Sequence, residues 1–325
     1  EWGGETLVLT PVIDDYEMIK SKVKEALESG KKYLIYSFGG ATSVLFGMII
    51  LFSLTNNLTF VPKGILNNVS DSNIYLISLS YLVMFIGFGV KAALVPFHAW
   101  LPQAMVAPTP VSSLLHAVAV VKSGAFALIR ITYYIFGAEV IRKTHSAGYL
   151  TVLIVISILM GSFLALHQEN LKKRLGYSTI SQLGYILLGI ILLNESSLVG
   201  GMLHLINHAV IKITLFFCTG AIMYTTGKTE IGQIAGIGRQ MPITMWCFTI
   251  SSISLIGIPP TNGFVSKWNL ALGGLIDGKA VFPAILLLSA LLTAMYLLPV
   301  ITEAFFKKGD NVILLKKEAP KKMVI

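Results

Sequence analysis

The chain has 325 residues, of which 54% are hydrophobic and only 13% are charged, and its formal net charge is +9. Soluble globular domains carry about 25% charged residues, so this composition excludes an ordinary soluble domain and indicates a membrane protein with several spans. The basic residues lie in short loops between apolar stretches, with no basic face interleaved with exposed aromatic residues. Membrane topology therefore explains the charge, and we expect no nucleic-acid partner.

Eight apolar runs predict an all-α protein, because a helix needs about 20 residues to cross the hydrocarbon core of a bilayer. Residues 1–32 form an amphipathic, charged segment before the first run, and residues 307–325 form a basic segment after the last. The predicted spans, in chain order, are 33–55, 73–96, 111–136, 147–166, 178–194, 198–224, 242–276 and 280–306.

Prolines break the pattern of two predicted spans. Pro96 opens a proline-rich stretch at the end of the second span, and Pro259 and Pro260 interrupt the seventh. A broken helix leaves backbone groups unpaired, which a membrane tolerates only beside protein or a water-filled cavity. Two such breaks, each close to a lysine, are typical of a transporter.

Basic residues are distributed unevenly between the two sides of the predicted bundle. If both ends of the chain lie on one side, the loops on that side hold most of the lysines and arginines. Cytoplasmic loops carry such an excess. The bias therefore predicts an even number of spans in the plasma membrane, with both termini cytoplasmic.

Four lysines lie inside predicted spans: Lys91, Lys122, Lys212 and Lys267. A charged side chain at mid-membrane depth costs about 3 kcal/mol on insertion scales, so such residues usually have a function. Snorkelling to the interface is the alternative for Lys91 and Lys267. No Asp or Glu falls in the middle of a span, so the counter-charges must come from the ends of the chain, such as Glu1, or from another subunit.

The sixth span places His204, His208 and Lys212 at positions i, i+4 and i+8. On a helix they stack on one face, each about 6 Å from the next. Histidine changes charge near neutral pH and a buried lysine can release its proton, so we predict a proton relay. Polar contacts between helices are the alternative. A zinc site would need a further carboxylate or cysteine, and none completes it.

No redox cofactor is predicted for this chain. It has no glycine-rich phosphate loop, no cysteine cluster for iron–sulfur and no nucleophile triad. Cys218 and Cys247 both fall within apolar spans and are predicted to fill space in the core. We therefore expect no cofactor, no metal and no catalytic residue.

Four long motifs resemble a known family. They are KAALVPFHAWLPQAMVAPTPVSSLLHAVAVVKSGAFALIR (91–130), ENLKKRLGYSTISQLGY (169–185), HLINHAVIKITLFFCTGA (204–221) and GIPPTNGFVSKWNL (257–270). They resemble the proton-translocating antiporter-like subunits of respiratory complex I, of membrane-bound hydrogenases and related archaeal complexes, and of Mrp-type sodium/proton antiporters. The resemblance covers nearly the whole chain.

The resemblance implies a fold of about fourteen helices in two inverted five-helix repeats, of which this chain supplies the sixth to the thirteenth. Residues 33–136 then belong to the first repeat and residues 137–306 to the second. Residues 307–325 become a basic cytoplasmic tail that leads to a further helix outside this sequence.

The resemblance also implies roles for individual residues. Lys91 matches a lysine beside the first broken helix that pairs with a glutamate, for which Glu1 lies at about the right distance. Lys122 matches a lysine that connects this pair to the relay of the sixth span. Lys267 matches the terminal lysine or glutamate near the far side, and His116 matches a position near the central water chain.

The implied function is translocation of protons, or of sodium and protons, by a non-catalytic subunit of an energy-converting redox complex. Its partners are lipid, other membrane subunits and, indirectly, hydrophilic redox subunits. A change at Lys91 would alter the proton affinity of Lys122 and then of the later lysines, because like charges in a low dielectric repel. Two alternatives remain, a subunit of a stand-alone Mrp-type antiporter and a purely structural membrane subunit.

Overall fold

The computed structural model describes residues 6–66, 73–106, 108–307 and 318–319. The described residues form thirteen α-helices, which confirms the predicted all-α fold class. Short 3₁₀ and π-helical segments lie between some of them. The α-helices are, in chain order, α1 (Thr6–Thr55), α2 (Ile74–Lys91), α3 (Trp100–Gln103), α4 (Thr109–Ser113), α5 (Val120–Arg130), α6 (Ala138–Lys143), α7 (Ser146–Leu166), α8 (Leu171–Ile191), α9 (Glu195–Thr226), α10 (Ile237–Gln240), α11 (Pro242–Ile256), α12 (Asn262–Ile276) and α13 (Val281–Phe306).

Five of the described helices are long and apolar enough to cross a membrane: residues Gly30–Thr55 of α1, then α2, α7, α9 and α13. They coincide with five of the eight predicted spans. Large apolar side chains point outward from them, among them Phe38 at 70% exposure and Leu287 at 73%. Apolar surface of this extent is typical of a face that lipid or another subunit covers.

The other three predicted spans do not form single long apolar helices in the described part of the chain. The run 111–136 is divided among α4, a π-helical segment, α5 and a second π-helical segment. Helix α8 is continuous but opens with three basic residues in its first turn. The run 242–276 is divided into α11 and α12 by a turn that contains Pro259 and Pro260.

The second predicted span ends at Lys91 instead of continuing to Pro96, because the chain turns back on α2 there. The indole Nε1 of Trp100 donates a hydrogen bond to the carbonyl oxygen of Val90 at 3.0 Å, which satisfies one of the last carbonyls of the helix. Pro96 lies in the turn, where it has no N–H to donate and keeps Val95 out of the helical conformation.

Helix α8 lies at the centre of the bundle, and nearly all of its side chains are buried among α7, α9, α12 and α13. Because lipid is as apolar as the helices, close approach through small residues supplies much of the packing. A Cβ on Gly161 of α7 would lie 2.7 Å from the Ser181 nitrogen, and one on Gly189 would lie 2.7 Å from the Ser197 oxygen of α9. Protein therefore surrounds the polar side chains of α8.

Candidate functional site

Five ionisable side chains of the predicted path lie buried inside the bundle. Lys122 on α5 is 5% exposed, Lys212 on α9 is 0% exposed and Lys267 on α12 is 8% exposed. His204 and His208 on α9 are also buried. The structure therefore brings together side chains from helices that are far apart in the sequence, and all five are enclosed by protein.

Helix α9 positions the central three. Its N-cap is Asn194, whose side chain accepts a hydrogen bond from the Ser197 nitrogen at 2.8 Å, and Gly227 ends the helix in the left-handed conformation. The 32 residues between them form one unbroken helix. The rings of His204 and His208 stack with centroids 6.0 Å apart and planes inclined by 11°, as the i, i+4 spacing predicts.

His204 is hydrogen-bonded through both ring nitrogens. Its Nδ1 lies 2.9 Å from the Ser266 hydroxyl of α12, and its Nε2 lies 3.0 Å from Oε1 of Gln182 on α8. Ser266 itself donates to the carbonyl oxygen of Gly263 at 3.0 Å. An imidazolium could therefore donate to both Ser266 and Gln182, whereas a neutral ring needs one donor partner. Rotation of the Gln182 amide would supply that donor, so the site accommodates both protonation states.

His208 differs from its neighbour. It is 0% exposed, and neither of its ring nitrogens has a hydrogen-bond partner among the described residues. Buried polar atoms are normally paired with protein or with ordered water. His208 is therefore the point in the row where the protein itself leaves proton-binding atoms available.

Lys212 is held by main-chain and hydroxyl oxygens. Its Nζ donates to the carbonyl oxygen of Leu175 at 2.9 Å and to the hydroxyl of Ser178, both on α8. The Leu175 oxygen also accepts from the Ser178 and Thr179 hydroxyls, at 3.0 and 2.9 Å. No carboxylate of the described residues pairs with Lys212. A neutral polar cluster thus surrounds the amine.

Lys267 reaches back across a helix break. Its Nζ donates to the carbonyl oxygens of Leu255 and Ile256, at 2.7 and 2.9 Å, and these are the last two residues of α11. Gly257 ends α11 in the left-handed conformation. The unpaired carbonyls of a helix end carry partial negative charge, so they stabilise a cation there. The Lys267 Nζ also lies 5.0 Å from the centre of the Tyr185 ring.

Lys122 has a similar arrangement at a further break, the bend between the first π-helical segment and α5. The π-helical segment Leu114–Val118 ends just before a bend at Ala119, and α5 begins after it. The Lys122 Nζ donates to the carbonyl oxygen of Ala117 in that preceding segment. Both lysines that follow a helix break are therefore bonded to carbonyls on the far side of the break.

Of the other predicted residues, only Lys91 has a described side chain, and it is not part of the buried row. Lys91 is the last residue of α2, is exposed, and has no acidic partner among the described residues. His116 falls in the π-helical segment that packs against α9, but its side chain is outside the described part of the structure. Glu1 also lies outside the described residues. The buried row thus forms without Lys91.

Sequence reasoning missed the polar side chains of α8. Ser178 and Gln182 bond directly to Lys212 and His204, and the Tyr185 ring centre lies 5.3 Å from that of His204. Their spacing of i, i+4 and i+7 places them on one face of a helix. A polar stripe on an otherwise apolar helix is the signal that could have identified them.

A second group of hydroxyls joins this stripe. Ser162 of α7 lies 2.7 Å from Ser181 of α8 and 2.9 Å from Ser289 of α13. The Tyr296 hydroxyl of α13 donates to Thr293 Oγ1 at 3.4 Å and lies close to the side chains of Ser178 and Gln182. Tyr296 therefore lies beside the residues that contact Lys212 and His204. No three His, Cys, Asp or Glu side chains of the described residues come together as metal ligands.

Residues 2–293 match the family described as NADH:quinone oxidoreductase/Mrp antiporter, TM. NADH-quinone oxidoreductase subunit N of Desulforudis audaxviator is 36% identical over 301 residues, which are 90% of this chain and 58% of that protein. One subunit of the Na(+)/H(+) antiporter of Alkalihalophilus pseudofirmus is 37% identical over 261 residues, 75% of this chain and 31% of that protein.

A solved structure has a similar fold. It is that of the membrane-bound sulfane sulfur reductase, an archaeal respiratory membrane complex, and one of its chains superimposes with a TM-score of 0.80 at 27% identity. The similarity covers 92% of this chain and 59% of that one. This chain thus spans about half the length of the curated relatives it matches.

Proposed function

The chain belongs to the NADH:quinone oxidoreductase/Mrp antiporter transmembrane family, and on that premise we propose that it forms the proton-conducting part of an antiporter-like membrane subunit. The subunit would work inside a multisubunit complex of the membrane, as its relatives are named for such complexes. Coupling to a redox reaction is the main proposal. The 37% identity to a protein named for an Na(+)/H(+) antiporter supports a stand-alone antiporter as the second candidate.

The observation that carries the proposal is the series of buried proton-binding groups. The Lys267 Nζ lies 5.0 Å from the centre of the Tyr185 ring. The ring centres of Tyr185 and His204 are 5.3 Å apart, and those of His204 and His208 are 6.0 Å apart. Lys212 follows one helical turn later. The three measured distances, of 5 to 6 Å, leave room for a bridging water between neighbouring groups, since a water molecule accepts from one group and donates to the next.

The partners of these groups favour transfer over static packing. A carboxylate close to a lysine stabilises its charged form and holds the proton. The described partners of Lys122, Lys212 and Lys267 are carbonyls and a hydroxyl, which can bond either the ammonium or the neutral amine. His208, with two unpartnered nitrogens, is the place where we expect water to enter the row.

In the proposed mechanism, protons enter from the cytoplasmic side near the histidines and leave past Lys267. A change in the pairing of Lys91 supplies the drive. Its exposed position at the end of α2 is suited to an acidic partner outside the described residues. Lys122 lies within electrostatic range of His208 and Lys212, so its charge state would influence whether they hold a proton.

The finer architecture is part of the proposal. We place eight crossings in the chain. Five are the long apolar helices, and the other three are α4 together with α5, α8 alone, and α11 together with α12. Residues 33–136 and 137–306 would then belong to two inverted repeats, with helix breaks at Pro96 and at Pro259 and Pro260. Both ends of the chain would face the cytoplasm, because loops rich in lysine and arginine are found on that side of a membrane.

The test is proton pumping by inverted vesicles that hold the intact complex, with and without Lys212→Ala. We expect this substitution to abolish acidification, whereas Lys143→Ala, on the exposed surface of α6, should leave it unchanged. Lys212→Arg adds a second comparison, because a guanidinium keeps the positive charge but does not release its proton. A structural role predicts that the arginine variant pumps. A relay predicts that it does not.

Assembly of the complex, measured by native electrophoresis, separates loss of transport from loss of the protein. Normal pumping by assembled Lys212→Ala complexes would disprove the relay. The redox proposal itself requires iron–sulfur subunits to co-purify with the chain. A complex that lacks them and pumps in response to a sodium gradient would be the stand-alone antiporter instead.

A further inference from the structure

Helix α11 is held at both ends by charged side chains from other parts of the chain. At its end nearest the helix break, Lys267 of α12 donates to the last two carbonyl oxygens. At its beginning, Glu318 of the C-terminal segment accepts hydrogen bonds from the first turn. We propose that Glu318 is a positioning residue that fixes α11 and, through it, the surroundings of Lys267. This inference rests on the proposed role of Lys267 in proton transfer.

The Glu318 carboxylate takes the place of an N-cap. It accepts from the Ile243 nitrogen at 3.2 Å, from the Thr244 nitrogen at 3.3 Å and from the Thr244 hydroxyl at 2.5 Å. The N-cap residue of α11, Met241, makes no side-chain capping bond. The first N–H groups of a helix have no partner within the helix. A carboxylate supplied from the tail therefore satisfies groups that the local sequence leaves unpaired.

The charges at the two ends match the helix dipole. A negative group is favourable at the N-terminus of a helix and a positive group at its C-terminus. Glu318 and Lys267 have these signs, and α11 with its 15 residues separates them by about 22 Å. The helix is a stiff element, so a displacement at the Glu318 end is carried to the carbonyls that bind Lys267.

Neighbouring packing makes this end of α11 depend on Glu318. A cavity of about 820 Å³ opens between α4, α9 and α11, and both Ile243 and Thr244 line it. On that side, the first turn faces open space instead of a packed helix. On the other side, Ala319 is 5% exposed and lies in the same apolar cluster as Met245. The tail residue next to Glu318 is therefore anchored in the core.

The two native cysteines provide a readout that does not depend on transport. Cys218 on α9 is buried and Cys247 on α11 is exposed, and both line the same cavity. If Glu318 no longer holds α11 against α9, Cys218 becomes accessible more often. Its rate of alkylation then rises in proportion to the open population. Cys247 serves as the internal reference because it lines the same cavity and its side chain is already exposed on α11.

The experiment alkylates the intact complex in vesicles with N-ethylmaleimide and follows both thiols by peptide mass spectrometry. Loss of a helix cap typically changes stability by about 1 kcal/mol, so Glu318→Ala should raise the Cys218 rate relative to Cys247 about fivefold. Glu318→Gln keeps one acceptor oxygen and should raise the rate less, and Glu318→Asp should keep part of the protection. The matched control is Glu303→Gln, which breaks an ion pair with exposed Lys307 at the end of α13 and should leave the ratio unchanged.

Proton pumping by the same vesicles completes the test. Slower pumping by Glu318→Ala, together with faster Cys218 alkylation, supports the positioning role. Unchanged Cys218 alkylation in Glu318→Ala overturns it, whatever the pumping rate. Faster alkylation with normal pumping shows that α11 moves without consequence for Lys267, and it also overturns the proposal. If the proton-relay proposal itself is wrong, a different result shows it, namely normal pumping by Lys212→Ala.

Discussion

Replacement of Gly263 by alanine should slow proton transfer past Lys267, because it forces α12 away from α11. Gly263 lies in the first turn of α12, and a Cβ there would lie only 1.8 Å from the carbonyl oxygen of Ser254 on α11. A carbon and a carbonyl oxygen in close contact are about 3.3 Å apart. The two helices must therefore separate by about 1.5 Å, the difference between these distances.

A displacement of this size disturbs the contacts on which Lys267 depends. The Ser254 hydroxyl donates to Oδ1 of Asn262 at 2.5 Å and ties the two half-helices together. Overpacking of this kind costs about 1–3 kcal/mol, and the obstacle here is backbone, which cannot change rotamer. A functional group misplaced by about 1 Å loses up to about 100-fold in rate. We therefore expect pumping by Gly263→Ala to fall at least about tenfold.

The assay is acidification of inverted vesicles, with the rate divided by the amount of assembled complex. Gly148→Ala in α7 is the matched control, because a Cβ there would meet nothing within 4 Å and alanine favours the helix. That variant should pump at the wild-type rate. Wild-type pumping by fully assembled Gly263→Ala complexes would show that the close contact of the two half-helices does not matter for transport.

Two further predictions concern the hydroxyl network and the orientation of the chain. Tyr296→Phe removes a buried hydroxyl that donates to Thr293 and lies close to Ser178 and Gln182. It should slow pumping about fivefold without affecting assembly, since one hydrogen bond contributes about 1 kcal/mol. An unchanged rate would show that this hydroxyl does not matter for transport. Single cysteines at exposed Lys307 and Lys143 should react with a membrane-impermeant maleimide from opposite faces, Lys307→Cys from the cytoplasmic one. Labelling of both from one face would contradict the proposed topology.

The central part of the site could be predicted from the sequence because it depends on local periodicity. His204, His208 and Lys212 recur every four residues on a long apolar helix, and helix geometry alone places them in a row. The membrane class and the all-α fold follow equally directly from the length of the apolar runs. These predictions need no knowledge of which helices touch.

Predictions that depend on the neighbours of a residue are harder to make from a sequence. The place of Lys91 inside a span remains a prediction; the structure puts it at the last position of α2, with its side chain exposed in the described part of the chain. Hydropathy reports how deep a residue lies along a span but not which side of the helix meets another helix. The π-helical segments around α5 could not be predicted either. An apolar run has the same hydropathy whether its backbone hydrogen bonds connect residues i and i+4 or residues i and i+5.

Contacts between distant parts of the chain had no local signal at all. Glu318 lies 74 residues after Thr244, in a basic segment that otherwise reads as a solvated tail. Its capping role becomes visible only when Glu318 is seen against the first turn of α11. Gly263 is similar, because its sequence position gives no indication that the Ser254 carbonyl lies against it.

The three buried lysines of the predicted path have partners of the same kind. Lys122 and Lys267 follow helix breaks and bond to carbonyls on the far side of the break, while Lys212 bonds to a carbonyl and a hydroxyl of α8. Each amine is thus stabilised by fixed dipoles. A carboxylate would stabilise the charged form alone and retain the proton, whereas a dipole accepts a hydrogen bond from the amine in either state. A helix break in such a membrane protein therefore supplies the carbonyl oxygens that let a lysine be buried and still release its proton.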